Sequence, residues 1–500
     1  MSITTMRRKF GRQMQILLWG IGIVFVAGIV LMVLPSSNMG PGPTAAKVVV
    51  ATVNREPITQ EAFEALFARQ TASYQEMGGL GLPVIEIARG SLLQMMVVQM
   101  ALAQDARAQG LGVSRGDLNR RLDQLVELQL KQSGREATAE LRGLLKSNLQ
   151  GQREAIRQGM MIEKLRQQVT AAVTVSDADL ARSFRQVRAR HILVAVQKGP
   201  PGKGLSPQQA LAKAQSLLAR IKGGADFAQV AKADSDDPGS ALRGGELGWF
   251  GQGMMDPAFE RAAMALAPGQ VTDRPVRTQF GYHLIQVEQA KDQPPADLAK
   301  NRRKYLDQLR EQRAGQVWGR YQQAVESKAQ VEVSELELKG ALALVHGNRD
   351  QAAGYFEQAV QKSEQLSRQL AAACYYNVAT YYSEQGKWQQ AIANYKQALD
   401  STNTDFAQIM VSLGQAYAGL KDKATALGYY QKAATEEPDS YSTHSLLAQA
   451  YQDLGRADLA APHRKWMADE AAKQAAEAAK AAAPAPLGAP GQPPGRPARP

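Results

Sequence analysis

The stretch RARHILVAVQKG, residues 188–199, is the part of the sequence on which the fold of the central region depends. The apolar run that follows His191 is typical of a buried strand. A histidine at the head of such a run is either a core residue or part of an active site, and the stretch alone does not choose between them. The pattern before it is helical as far as about Val169, whereas the pattern after it alternates short strands and helices to Ala290.

The region that begins with this stretch is predicted to be a mixed α/β domain. A strand at 191–196 is followed by helices at 207–222 and 226–232, a strand at 248–250, a helix at 257–265 and the two strands VRT and YHLIQVE. The segment Pro294–Lys328 is predicted to be a charged amphipathic helix, closed by the short strand VEV.

The N-terminus carries the strongest indication of location. The 500-residue chain has a net charge of +12, and the basic segment MRRKFGRQ precedes Met14–Leu34, which contains no charged residue. About 20 apolar residues are enough to span a bilayer, and basic residues before the span favour a cytoplasmic N-terminus. We therefore expect an uncleaved anchor. A cleaved, secreted form is the alternative, with Thr44-Ala45-Ala46 as a distant candidate cleavage site.

Composition excludes several classes of protein. The single cysteine, Cys374, rules out an intramolecular disulfide, which fits a reducing compartment or a large envelope protein equally well. The basic charge is not arranged in a basic-aromatic stripe and no zinc-ligand spacing is present, so we expect no nucleic-acid partner. No metal or other cofactor is expected.

Residues 47–172 are predicted to be helical after a first strand. VVVATVNREPITQEAF indicates a strand, a turn at Asn54–Pro57 and a helix capped by Thr59. A long apolar helix is expected over Pro83–Gln109, and capping boxes are expected at Ser114-x-x-Asp117 and Ser176-x-x-Asp179.

The last third of the chain is a repeat with a period of about 34 residues. The spacing aligns three sets of residues, namely Ala352, Ala391, Ala426 and Ala460; Phe356, Tyr395, Tyr430 and Arg464 four residues later; and Ala359, Ala398, Ala433 and Met467 seven residues later. Small residues at helix crossings and aromatics between them resemble tetratricopeptide repeats. Arg464 and Met467 break the pattern, as a solvent-facing cap would.

Five segments within about 100 residues carry the chemistry. They are ARHILV (189–194), FAQVAKADSDDPGSA (227–241), GGELGWF (244–250), GMMDPAFE (253–260) and TQFGYHLI (278–285). Each is weak alone, but in this order they resemble the parvulin (rotamase) family of peptidyl-prolyl cis/trans isomerases. The resemblance covers roughly Arg188–Gln289 and implies an α+β fold and isomerase activity.

The resemblance also implies the site. His191 and His283 match the family's facing histidines, Thr278 matches the hydroxyl that holds their hydrogen bonds, and Asp237 matches the family's Cys/Asp position. These four are the predicted catalytic residues. The predicted substrate-binding residues are Leu247, Met255, Phe259 and Phe280; the last occupies a position that is Ser in some members. The histidines are expected to orient the site rather than to carry protons, and no specificity for phosphorylated residues is expected.

The flanking regions resemble the SurA/PpiD/PrsA group of foldases, with ATVNREPITQEAF as the match at the start. The predicted fold class is multidomain, α plus α+β: a transmembrane helix, an α-helical chaperone-like domain, a parvulin α+β domain and an α-solenoid of tetratricopeptide repeats. The predicted domains are a cytoplasmic N-terminus (1–13), an anchor (14–34), a linker (35–46), the helical domain (47–172, completed by 294–333), the parvulin domain (187–290), the repeats (335–470) and an Ala/Pro-rich tail (471–500), helical to about Ala483 and then largely disordered.

The function implied is that of a peptidyl-prolyl isomerase and foldase, held in the bacterial cytoplasmic membrane by residues 14–34, with the bulk of the chain on the periplasmic side. Its expected partners are unfolded or nascent polypeptides that contain proline, and a protein partner on the repeats. The alternative is a non-catalytic holdase or scaffold that uses the parvulin fold and the repeats for binding.

Overall fold

A computed structural model describes residues 48–75, 81–133, 138–196, 205–402 and 406–482. The chain divides into two compact units, one of which is Glu163–Gln323, while the other combines the described residues before and after it. The predicted anchor Met14–Leu34 lies outside the described residues. Within them, one helix, Leu82–Ala108, is long and apolar enough to cross a membrane; 44% of its most apolar window is buried, and core helices of soluble proteins pass the same test.

The first unit begins with a three-stranded sheet. Strands β1 (Val49–Val53) and β2 (Glu56–Thr59) form a hairpin, and β7 (Val331–Val333) pairs with the other edge of β1. The register places Ala51 opposite Val333, so the chain returns to its start after about 280 residues. Asn54 and Arg55 have positive φ angles of 49° and 70° in the hairpin turn, as the predicted turn at this place requires.

Helices follow the sheet, as the helical pattern of this region predicts. They are α1 (Gln60–Gln75), α2 (Leu82–Ala108), α3 (Arg115–Ser133), α4 (Ala139–Gly151) and α5 (Arg153–Thr170), which runs into the second unit. Ser114 and Asp117 make the predicted cap at the start of α3, since the Asp117 amide donates to Ser114 Oγ at 3.1 Å. Gly110, with φ of 75°, ends the turn after α2.

The repeat region consists of paired helices. They are α11 (Leu336–Val345) and α12 (Arg349–Val360), α13 (Arg368–Glu384) and α14 (Trp388–Ser401), α15 (Phe406–Gly419) and α16 (Lys423–Glu436), and α17 (Tyr441–Asp453) and α18 (Ala457–Ala482). The four aligned alanines 352, 391, 426 and 460 are fully buried. A Cβ on Gly414 would lie 2.3 Å from the Tyr430 ring, so small residues admit the aromatics as predicted. The tetratricopeptide architecture is confirmed.

Helix α2 packs against the repeats. Leu82 and Ile85 share a core with residues of α13, α14 and α15. The backbones of α2 and α11 meet at Gly90, where a Cβ would lie 2.3 Å from the carbonyl oxygen of Ala341. The N-terminal helices and the repeats therefore form one continuous unit, which the sequence did not predict.

The second unit is built on a four-stranded antiparallel sheet, β4-β3-β6-β5. Its strands are β3 (Arg185–Ala195), β4 (Glu246–Phe250), β5 (Val276–Thr278) and β6 (Gly281–Asp292). Its helices are α6 (Asp177–Ser183), α7 (Pro207–Lys222), α8 (Phe227–Asp234), α9 (Pro257–Ala265) and α10 (Leu298–Lys328), which ends in the first unit. Strand β3 begins six residues before the predicted start, because Arg185–Arg190 pair with β6 despite their charges.

The two faces of this sheet are covered by different helices. Ile192 and Val194 point into a core with α7 and α8, whereas Val187 and Ala189 share the opposite core with Phe259 of α9. Because side chains alternate along a strand, His191 lies on the same face as Val187 and Ala189. This alternation directs His191 towards α9.

Candidate active site

The sheet register brings the two predicted histidines together. His191 pairs with Ile285 on β6, and His283 is two residues from Ile285, so both side chains lie on one face of adjacent strands. Their Nδ1 atoms are 3.2 Å apart, and the rings are stacked with centroids 5.4 Å apart. Both residues are buried.

Asp237 reaches His191 from the loop after α8. Its Oδ2 lies 2.9 Å from His191 Nε2, and Ser240 Oγ lies 3.1 Å from the same nitrogen. The loop is fixed to β3 because the Asp236 amide donates to the Leu193 carbonyl at 2.8 Å, and the Leu193 amide donates to Ser235 Oγ at 3.1 Å. The two residues before Asp237 are therefore tied to Leu193 of β3, which holds Asp237 beside His191.

Thr278 completes the polar set from β5. Its Oγ1 lies 2.8 Å from His283 Nε2 and accepts a hydrogen bond from the Phe280 amide at 3.1 Å. The four predicted catalytic residues thus form one line, Thr278–His283–His191–Asp237, in which each side chain contacts the next.

The partners at the two ends of this line fix its protons. A carboxylate can only accept, so His191 presents Nε2–H to Asp237. In the neutral form of His191 the Nδ1 atom is then an acceptor and His283 donates to it from its own Nδ1. Neutral His283 therefore accepts at Nε2 from the Thr278 hydroxyl. With both histidines neutral, the hydrogen bonds run in one direction, from Thr278 towards Asp237.

The pKa values agree with this assignment. The hydrogen bond from His191 holds the pKa of Asp237 well below its usual range, with further hydrogen bonds from Ser240 and the Gly239 amide, so Asp237 is ionised. Burial, together with a smaller effect of the neighbouring His191, lowers the pKa of His283 to about 4, so His283 is neutral near pH 7.

An apolar cluster adjoins the histidines. The Phe259 ring meets both imidazoles edge to face, with centroids 5.7 Å from His191 and 5.3 Å from His283. Leu247 and Met255 are partly buried in the same cluster. Three of the four predicted substrate-binding residues therefore share one apolar wall. The fourth, Phe280, lies outside that cluster, with 56% of its surface exposed.

Gly245, just before β4, lets the backbone pass close to His191 of β3. Its φ is 80°, and its carbonyl accepts a hydrogen bond from the His191 amide at 2.9 Å. A Cβ at this position would lie 2.2 Å from the His191 carbonyl oxygen. The glycine of the GGELG segment is required for both its backbone conformation and its close contact.

Sequence analysis missed Ser240 as a member of the site. Its hydroxyl lies 2.6 Å from Asp237 Oδ2, and the residue is 2% exposed. Its position in a turn, three residues after Asp237, could have indicated this contact, because a hydroxyl there commonly forms a hydrogen bond with the carboxylate. Within the described part of the chain, no group of three or more His, Cys, Asp and Glu residues is arranged to hold a metal ion.

Three segments of the chain match known protein families. Residues 177–291 match the PPIC-type PPIase domain, residues 3–187 match the SurA-like N-terminal domain, and residues 334–404 match the tetratricopeptide repeat.

Named relatives cover different shares of the chain. The foldase protein PrsA of Caldanaerobacter subterraneus subsp. tengcongensis is 29% identical over 257 residues, which cover 48% of this chain and 73% of that protein. The chaperone SurA of Yersinia pestis is 42% identical over 129 residues, which cover 26% of this chain and only 28% of that protein. The crystal structure of the peptidylprolyl isomerase PrsA from Bacillus anthracis is 26% identical over 47% of this chain and 96% of its own, with a TM-score of 0.26, too low to bear on the fold.

Proposed function

We propose that the chain is a membrane-anchored foldase that isomerises X–Pro bonds in unfolded polypeptides outside the cytoplasm. The proposal starts from three parts of the chain: a parvulin-type peptidyl-prolyl isomerase domain, a SurA-like N-terminal domain and tetratricopeptide repeats. The main support for the proposal is the apolar wall of Leu247, Met255 and Phe259. This wall lies against the line of hydrogen bonds that runs from Thr278 to Asp237.

Isomerisation needs a site of this kind because no bond is broken. Rotation about a peptide bond crosses a barrier of roughly 18–20 kcal/mol, which arises from the partial double bond between carbon and nitrogen. That double bond depends on a charge-separated resonance form, which an apolar, water-poor surface disfavours. In this proposal the pyrrolidine ring rests on Phe259 and Met255 while the preceding carbonyl swings past Asp237.

The histidines serve this chemistry by holding the floor of the site rigid. Neutral His283 is hydrogen-bonded on both nitrogens, and His191 is hydrogen-bonded on both nitrogens as well. Neither ring has a free nitrogen to exchange a proton with a substrate. Both are therefore positioning residues, and Asp237 is the charged group closest to the rotating amide.

Anchoring and location rest on the N-terminal sequence. Residues 14–34 are apolar and follow a basic segment. The family match to the SurA-like N-terminal domain begins at residue 3 and so includes this stretch. A foldase held in the bacterial cytoplasmic membrane, with the bulk of the chain on the periplasmic side, would meet clients as they emerge and keep them near its isomerase domain.

The helical domain and the repeats supply the binding surfaces in this proposal. The helices of residues 47–172 act as a cradle for unfolded chains, and the repeats take a protein partner. Because α2 shares a core with residues of α13, α14 and α15, we place the partner surface on α17 and α18, which contribute no described residue to that core.

The test is the rate of cis-to-trans conversion of X–Pro tetrapeptides by the full chain in detergent, compared with a Met255→Ala, Phe259→Ala double variant. A matched control is Leu144→Ala, an exposed apolar residue of α4. We expect acceleration by the wild type and the control but not by the double variant. If neither the wild type nor either variant accelerates the reaction, while all three suppress aggregation of an unfolded client, the chain is a holdase and the enzymatic proposal is wrong.

A further inference from the structure

The last pair of repeat helices holds two histidines in direct contact. His444 of α17 and His463 of α18 bring their Nδ1 atoms within 2.8 Å of each other, and both residues are partly exposed. They are two of the five histidines in the chain, and two others lie in the candidate active site. We call His444 and His463 the histidine pair.

Hydrogen bonding decides which nitrogen of His444 can bind a ligand. Its Nε2 atom lies 2.8 Å from the carbonyl oxygen of Pro438. A carbonyl can only accept, so Nε2 carries the hydrogen, and the Nδ1 atom of the neutral ring has a lone pair. Burial lowers the pKa of His463, and the neighbouring His444 adds to this effect, so His463 is neutral near pH 7. Histidines that bind metal ions commonly donate their other N–H to a backbone carbonyl in this way.

Aromatic rings fix the orientation of the histidine pair. Trp466 stacks on His444 with centroids 4.0 Å apart and planes inclined by 6°. Tyr451 stacks on His463 with centroids 5.6 Å apart. Neither imidazole can rotate without losing such a contact. The two Nδ1 atoms are therefore held next to each other between α17 and α18.

A sulfur donor follows one helical turn after the second histidine. Met467 lies four residues after His463 on α18, and residues at this spacing share one face of a helix. The thioether of methionine is a soft donor that favours Cu(I), and imidazole suits copper as well as zinc. A structural zinc site almost always has four ligands, whereas Cu(I) is satisfied by fewer. Two imidazoles and one thioether therefore match Cu(I) better than zinc.

We propose that the histidine pair and Met467 bind a Cu(I) ion, which joins α17 to α18. Imidazole–metal bonds are roughly 2.0–2.1 Å long, as found with zinc, so two nitrogens on one ion lie roughly 3.4 Å apart. The histidine pair must therefore open by less than about 1 Å from its present 2.8 Å. The ion takes the place of the proton between the two Nδ1 atoms, and that proton moves to Nε2 of His463, so both rings stay neutral. The site lies in the repeats, and the inference does not depend on the proposed isomerase function.

The test measures the transfer of Cu(I) from a coloured chelator to the full chain in detergent, in the absence of oxygen. We expect His444→Gln and His463→Gln each to weaken uptake by about 100-fold or more, since a residue that only orients a metal ligand is already worth about 10- to 100-fold. Met467→Leu should weaken uptake by about tenfold, because a thioether is the weakest of the three donors. The matched control is His346→Gln, an exposed histidine after α11, which should bind as the wild type does.

X-ray absorption at the copper edge identifies the donors directly. The wild type should show nitrogen and sulfur neighbours, and Met467→Leu should show nitrogen without sulfur. Copper should also raise the melting temperature of the wild type and of His346→Gln but not that of His444→Gln, and melting curves without copper show whether each variant folds. No uptake by the wild type, or equal uptake by a variant that lacks both members of the histidine pair, would overturn the site. A wild-type spectrum without sulfur, together with Zn(II) binding as tight as that of Cu(I), would overturn the assignment to Cu(I).

Discussion

The junction between α2 and the repeats contains a buried carboxyl group whose ionisation should control its stability. Glu86 is fully buried, and neither of its carboxyl oxygens has a hydrogen-bond partner. Burial raises its pKa to about 8; the negative charge of Glu337 on α11 raises it too, while Arg89 opposes the shift. Arg89 is itself engaged by Glu64 at 3.0 Å and lies over the ring of Phe63.

The sign of the pH dependence follows from the raised pKa. Between the ordinary value of 4.5 and about 8, folded Glu86 holds a proton that the unfolded chain has released. The contribution of Glu86 to the free energy of unfolding of the first unit is therefore fully present below pH 4.5. It declines as the pH rises through this window and is lost above about pH 8. A shift of one pKa unit corresponds to about 1.4 kcal/mol, so the loss is at most about 5 kcal/mol. Glu335, whose pKa is raised to about 7, adds a smaller slope in the same direction.

Cys374 provides the assay, because it is the single cysteine of the chain and lies fully buried on α13 beside this cluster. Its protection from a thiol reagent, relative to the denatured chain at the same pH, measures the free energy of opening. We expect protection to fall between pH 6 and pH 8 in the wild type and then to level off. The Glu86→Leu variant should remove most of that slope, whereas the exposed control Glu127→Leu should retain it. Protection that does not change with pH, or the same slope in Glu86→Leu, would refute the account.

Three further predictions concern the second unit. Phe259→Ala should cost about 3–5 kcal/mol of unfolding free energy, because it empties a core position, and should abolish isomerase activity; a variant with normal activity in the tetrapeptide assay would contradict the proposed pocket. Because the pKa of His283 is lowered, the second unit should lose at most about 3 kcal/mol of unfolding free energy as the pH falls from 6.5 through about 4. Hydrogen exchange of the β3 and β6 amides should show this dependence on pH, and the His283→Gln variant should lack it. Gly245→Ala should unfold the unit or displace His191, because its Cβ would lie 2.2 Å from the His191 carbonyl oxygen; a wild-type melting curve with wild-type activity would contradict this.

The two pH slopes have opposite signs, and each belongs to a different unit. A carboxyl group buried without a partner destabilises the first unit as the pH rises, and a buried imidazole destabilises the second as the pH falls. Measurements on the whole chain would average the two, so each unit needs its own probe.

Local patterns in the sequence were enough to predict most elements of the fold. The helix over 207–222, the helix over 257–265 and the capping box at Ser176 were predicted at the positions where the structure has them. The repeat period predicted which alanines are buried. These signals are local because a cap or a helical stripe involves residues only three or four positions apart. The order of five short motifs also indicated, through the resemblance to the parvulin family, the four residues of the hydrogen-bonded line.

Tertiary structure alone decided which of those residues meet and what else joins them. Phe280 lies outside the apolar wall, and Ser240 joins the hydrogen bonds of His191, because both outcomes depend on how loops from different strands close over one sheet face. The pairing of β1 with β7 and the burial of Glu86 against the repeats link residues about 250 to 280 positions apart. No local pattern encodes such contacts, since they arise only when separate helices and strands pack and exclude water together.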